Sequence, residues 1–243
     1  MVRADRRGTA PGAPAEHHRD IGGGAARAAV FGVSDGLVSN VGLVLGMAGA
    51  DAGGGVVVVA GIAGLVAGAV SMAAGEYNSM RVQAELFERE LALERREIER
   101  NPSVEAAELA QRYQSRGLDP ELARELARDV MNDPDLALEF HARDELGVGP
   151  GQLGSPVGAA VSSFATFTAG AAVPLVPWFF LDGGVALAVT LAAALVAALA
   201  VGFAISRFTE GRPLRAMARQ VAFTAVPAAV TYAVGSVIGI RLD

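Results

Sequence analysis

The chain has 243 residues, 52% of them hydrophobic, with a mean hydropathy of +0.38 and a formal net charge of −6. Apolar residues in that proportion, gathered in long runs, exclude an ordinary soluble domain and point to an integral membrane protein. There is no Cys, so disulfides and thiolate metal sites are excluded as well, and all 20 basic residues are Arg.

Residues 1–24 are rich in Arg, Gly and Pro and read as a tail. No apolar h-region lies near its arginines, so a cleaved signal peptide is not expected. His17 and His18 are adjacent, which on a helix would not share a face, and the pair reads as solvated. Five apolar stretches follow, at about 25–50, 56–80, 157–181, 184–206 and 217–240. Each is near the roughly 20 residues needed to cross a bilayer core.

Arginine placement orients these spans. Arg3, Arg6, Arg7, Arg19 and Arg27 sit at the start of the first, Arg81 follows the second, and Arg207, Arg212, Arg215 and Arg219 lie between the fourth and fifth. The 50–55 and 182–183 loops contain none, and only Arg241 lies beyond the fifth. By the positive-inside rule the N-terminus, the 81–149 segment and the fourth-to-fifth loop are cytoplasmic, and the C-terminus is outside. Gly32/Gly36 and Gly42/Gly46 in the first span, with Gly64/Gly68 in the second, have the small-xxx-small spacing of close helix contacts. Pro174 and Pro177 are expected to kink the third span near its outer end, and Pro227 the fifth.

Residues 81–149 concentrate the charge, with 17 Asp/Glu against 10 Arg, a balance of −7. So acidic a segment argues against nucleic acid and for cations. Its punctuation predicts helices. The second span continues to about Arg100 and stops at Asn101-Pro102; a second helix runs from about Ser103 to Arg116 and ends at Gly117. Asp119-Pro120 and Asp133-Pro134 each open another, as an N-cap followed by Pro at the first helical position, and Gly147 ends the last. The expected fold is therefore an all-α integral membrane protein. Residues 25–80 carry two transmembrane helices, 81–149 a cytoplasmic helical acidic domain that is a candidate to bind cations, and 150–243 the last three transmembrane helices.

Two places could carry chemistry. In the membrane, Asp35 lies about 10 residues into the first span, hence about 15 Å deep. Insertion scales put a carboxylate there at roughly 2.5 to 3.5 kcal/mol. No Arg lies at its depth, so it is expected to hold a proton or bind a cation, the two states a cation/proton exchanger needs. A structural hydrogen bond to Ser39 or Asn40 is the other reading. The second span places a thioether, Met72, and a carboxylate, Glu76, one turn apart on one face. In the acidic segment, Glu94/Glu97 and Glu105/Glu108 are pairs spaced i, i+3, each on one helix face, and the Asn101-Pro102 break lets the two helices fold together. Glu145, with His141 one turn before it, adds oxygen and imidazole. That donor set suits Fe(II), Mn(II) or Zn(II) better than Ca(II). The same residues read equally as solvated faces, since Glu108 can pair with Arg112 and Glu139 with Arg143.

The stretches G-V-S-D-G-L-V-S-N in the first span and V-A-G-A-V-S-M-A-A-G-E-Y-N-S in the second resemble the vacuolar iron transporter family. The Glu pairs flanking N-P-S-V, the R-D-E-L-G that closes the acidic segment and S-P-V-G-A-A in the third span match as well. The resemblance implies a homodimer of five-span protomers whose translocation path lies at the dimer interface, lined by the first span. It implies exchange of cytosolic Fe(II), and often Mn(II), for protons, with no permanently bound cofactor. By position Asp35 and Met72, with Glu76 a turn further, belong to the path. Glu94, Glu97, Glu105, Glu108 and Glu145 form a cytoplasmic metal-collecting site, beside His141. Family members can show a Met-Met pair where this chain has His141-Ala142, so an imidazole replaces one thioether and the second is absent.

The leading expectation is a divalent transition-metal/proton antiporter, with metal ions, protons, lipid and a second copy as partners. The expected location is the plasma membrane of a bacterium. A metal-responsive scaffold or sensor that moves nothing is the alternative, and it would have no need of Asp35. An enzyme is not expected, because there is no Ser/His/Asp set, no H-E-x-x-H and no phosphate-binding Gly loop.

Overall fold

The computed structural model describes residues 24–145, 147, 149 and 154–242, and every regular element among them is helical. The tail before Gly24, with His17 and His18, lies outside the described residues. In chain order the α-helices are α1 (Gly24–Gly49), α2 (Gly54–Arg100), α3 (Pro102–Ser115), α4 (Pro120–Met131), α5 (Pro134–Glu145), α6 (Pro156–Leu175), α7 (Gly183–Thr209) and α8 (Pro213–Leu242). A short 3-10 turn, Val176–Phe179, extends α6. Five of the helices are long and apolar enough to cross a membrane: α1, α2, α6 with its 3-10 extension, α7 and α8. Their bounds fall within a few residues of the five apolar stretches read from the sequence, and α2 continues unbroken to Arg100, where the sequence places its stop.

The first helix is the hub of the apolar bundle. Half of the most apolar window of α1 is buried, against 17% in α2 and in α8. Leu37, Val41, Val44 and Leu45 of α1 form one core with Val57 of α2, Trp178 of the 3-10 turn, Ala186, Ala194 and Ala198 of α7, and Ala228 of α8. The outward faces of α2, α7 and α8 carry exposed Val, Leu, Ile and Phe, as lipid contact requires. Small residues decide how near the helices come. A Cβ on Gly36 would meet the backbone carbonyl of Phe167, and one on Gly170 the carbonyl of Val33, so α1 and α6 touch backbone to backbone. The Gly42/Gly46 pair faces Thr231 on α8 at ordinary contact distance.

Pro174 and Pro177 mark the point where α6 tightens into the 3-10 turn. The indole N–H of Trp178 donates to Thr190 Oγ1 at 3.0 Å, and that hydroxyl donates to the carbonyl of Pro174 at 3.1 Å, so a carbonyl near the irregular end is satisfied from α7. Pro227 sits inside α8, which continues past it to Leu242.

A second core lies apart from the first. Ile98 at the end of α2 packs with Leu109, Ala110 and Tyr113 of α3, Ala123, Ala127 and Val130 of α4, and Ala137 and Leu138 of α5. The punctuation read from the sequence builds this bundle. Asp119 accepts from the backbone N–H groups of Glu121 and Leu122, and Asp133 from those of Asp135 and Leu136. Pro follows each cap. Gly117 and Gly147 both take the positive φ, 97° and 70°, that lets a chain leave a helix.

Candidate metal centre

Because α2 is one rigid rod, it carries side chains from the apolar bundle to the second core. Glu94 lies 14 residues beyond Met80, roughly 21 Å further along the axis, well outside the apolar stretch. At Asn101 the chain reverses, Pro102 opens α3, and Glu105 in its first turn comes back beside Glu94. From the other side α5 inserts His141. The Nδ1 of His141 lies 2.9 Å from Glu94 Oε1, 3.7 Å from Glu105 Oε2 and 3.6 Å from Glu145 Oε1. Ligand atoms of Glu94, Glu105 and His141 all lie within 4.8 Å of one another, with all three residues buried.

Burial without aligned hydrogen bonds is the chemical point. His141 is 1% exposed, yet neither ring nitrogen has an aligned hydrogen-bond partner, and Glu94 Oε1 has none either. Buried polar groups are almost always satisfied, so a buried imidazole whose nearest contact, Glu94 Oε1 at 2.9 Å, is poorly aligned has the chemistry to hold a cation together with its carboxylate neighbours. A cavity of about 150 Å³ opens beside it, lined by Glu90, Leu93, Glu94, Glu97, His141, Ala142 and Glu145. Electrostatics point the same way. Burial, reinforced by the negative fields of Glu145, Glu105, Glu97 and Glu108, pushes Glu94 up to about 7. Burial also raises Glu105, against a lowering influence of His141. A metal ion here would offset both the burial and the repulsion behind these shifts.

The sequence-predicted residues divide accordingly. Glu94, Glu105, His141 and Glu145 converge. Glu97 is exposed on the cavity rim. Glu108 is exposed and turned aside: Arg112 Nη2 donates to its Oε1 at 3.0 Å and to Glu145 Oε1 at 2.6 Å. The anticipated Glu139–Arg143 pair is present at 2.7 Å, well away from His141 on the helix face. The Arg112–Glu145 bridge spans 33 residues and has no signature in local spacing.

In the apolar bundle, Asp35 is half-buried on α1, and Ser39 Oγ donates to its Oδ1 at 3.3 Å, the local hydrogen bond that the sequence allowed. Met72 of α2 packs against the cluster of Ala69, Phe167 and Ala171. Glu76, one turn on, is not free. Arg27 Nη2 donates to its Oε2 at 3.2 Å, tying the start of α1 to the end of the apolar part of α2. Sequence reading also missed Gln220 on α8, 4% exposed, whose Oε1 accepts from Ser34 Oγ at 3.4 Å. The available signal was a lone amide in an apolar stretch, beside the residue that precedes Asp35.

Comparison with known proteins places this architecture. The sequence model of the VIT family matches residues 26–236, nearly the whole chain. The vacuolar iron transporter of Acanthamoeba castellanii is 35% identical over 236 residues, covering 94% of this chain and 85% of that protein. Vacuolar iron transporter 1 of Oryza sativa is 30% identical over 229 residues, covering 93% and 91%. Vacuolar iron transporter 1 of Tulipa gesneriana is 30% identical over 213 residues, covering 87% and 86%. With five membrane-crossing helices and a family match spanning all of them, this chain is a metal-transporting membrane protein that belongs to the VIT family.

Proposed function

We propose that the protein removes divalent transition metal from the cytosol, Fe(II) and also Mn(II), in exchange for protons. The observation that carries this reading is the buried Glu94–Glu105–His141 set, whose imidazole nitrogens lack aligned hydrogen-bond partners and whose Glu94 stands on the same helix as Met72. The 81–149 bundle is the cytoplasmic collecting domain. There Glu94, Glu105, His141 and Glu145 bind the ion, Glu97 stands at the entrance and Glu108 turns in when metal arrives. Oxygen and imidazole donors favour Fe(II), Mn(II) and Zn(II) over Ca(II). Asp35 and Met72 form the membrane step, with Glu76 at its cytosolic mouth. Asp35 holds either the ion or a proton, which is what couples the two flows. Two copies form the working unit, with α1 lining the path between them.

Metal loaded against an imposed pH gradient in proteoliposomes tests the reading, with Fe(II), Mn(II), Co(II), Zn(II) and Ca(II) in separate runs. Uptake of Fe(II) or Mn(II) with counterflow of protons is expected; metal binding without movement would leave a sensor or scaffold. Orientation has its own test, because a chain without Cys permits single-site labelling with no background. A Cys at Ser103 should react only from the cytosolic side and one at Asp51 only from the opposite side. Reversed accessibility would overturn the direction of transport.

A further inference from the structure

The collecting site already contains a cation of the protein's own. Arg112 of α3 uses one nitrogen, Nη2, to hold Glu108 Oε1 at 3.0 Å and Glu145 Oε1 at 2.6 Å. The Glu145 oxygen is the same atom that stands 3.6 Å from His141 Nδ1. The guanidinium is partly shielded, with 30% of its side chain exposed, and the pairing ties α3 to α5 beside the cluster. Burial works against its charge, but the hydrogen bond to Glu108 and the fields of Glu145, Glu108 and Asp144 outweigh that and hold Arg112 above its usual value. Asp144 itself is engaged by Arg116 Nη1 at 2.9 Å, so α5 carries a second tie that does not touch the site.

We propose that Arg112 is a built-in competitor for the metal ion, an affinity-setting latch that occupies Glu108 and Glu145 until a divalent ion draws them away. This rests on the metal reading of the Glu94–Glu105–His141 cluster. When an ion binds there, Glu145 is its nearest remaining oxygen donor, and turning it fully toward the metal means giving up a 2.6 Å ion pair. Glu108 is released by the same swing. A single charge is thus exchanged for a double one, and the exchange runs in reverse on release, when the guanidinium reclaims both carboxylates. Arg112 therefore weakens binding and hastens departure, as a site that hands its cargo on requires. A merely structural arginine would do the opposite: its removal would loosen the bundle and weaken binding.

Full-length protein in detergent micelles, titrated with Mn(II) by calorimetry at two salt concentrations, separates these. Arg112→Gln is expected to bind Mn(II) about three- to tenfold more tightly than the wild type, the size of one or two half-exposed ion pairs. Its binding should also weaken more steeply with added salt, because the site has lost an internal countercharge. Arg112→Lys should fall between the two, since an ammonium makes a point contact where the guanidinium bridges. It also serves if the Gln variant fails to fold. Metal binding that is equal or weaker in these variants, with the wild type binding normally, overturns the latch and leaves the metal site standing. No Mn(II) binding by the wild type overturns the metal reading and the latch with it.

Discussion

Asp35→Asn is expected to reduce metal transport by at least about 100-fold, or some 2.7 kcal/mol on the barrier, while the protein remains folded. The amide keeps the size of the carboxylate and can still accept from Ser39 Oγ, as Asp35 Oδ1 does now at 3.3 Å. What it loses is the negative charge that would coordinate a cation and the proton that would replace it. Packing should be unaffected, because the cores around α1 are built from Leu37, Val41, Val44 and Leu45 and from backbone contact at Gly36. Met72→Leu preserves volume against Phe167 and removes only the sulfur, so its effect should be milder. The checks are initial transport rates in proteoliposomes, with elution volume and melting temperature in detergent as folding controls. A folded Asp35→Asn protein that transports at near wild-type rate would remove the membrane site from this account.

How far the sequence reached depended on whether the determining interaction was local. Helix ends were legible because their signals sit within four residues. Asp119 and Asp133 cap their helices as their spacing before Pro implies, and Asn101-Pro102 breaks the chain where expected. The glycine pairs announced close contacts but not the partners; only the folded chain shows Gly36 against α6 and Gly46 against α8. In the acidic segment, residue type and i, i+3 spacing put Glu94, Glu97, Glu105 and Glu108 forward as equals. Burial separates them. The α2–α3 reversal turns Glu94 and Glu105 inward, and their i+3 partners, about 60° away from alignment at 100° per residue, stay exposed. The two ion pairs that matter most, Arg27–Glu76 and Arg112–Glu145, join residues 49 and 33 positions apart. Nothing in a periodicity argument connects such positions.

The same burial makes the Glu94–Glu105–His141 cluster pH-dependent. Glu94 stands at about 7 in the folded chain, against 4.5 for the free group. Between those values the metal-free folded protein keeps a proton that the unfolded chain has released. Its contribution therefore favours the folded state below about 4.5 and is lost as pH rises through about 7. Burial of the Glu94 charge is the first cause and the negative fields of Glu145 and Glu105 the next, and a divalent ion beside the carboxylate offsets both. Stabilisation by metal should consequently grow as pH increases from 6 to 8, seen as a larger metal-induced rise in melting temperature. Below about 7 an incoming ion must displace the Glu94 proton, so Mn(II) affinity should fall by up to about tenfold per pH unit. Calorimetry in buffers of different ionisation enthalpy should find about one proton released at pH 6 and close to none at pH 8. Glu94→Gln, with no proton to lose, should bind more weakly at pH 8 and lose most of this pH dependence. His141→Ala should weaken Fe(II) and Zn(II) more than Mn(II), because the remaining donors are all oxygens. Binding by the full-length protein that is independent of pH, or equally strong for Ca(II), would reduce the cluster to an acidic surface.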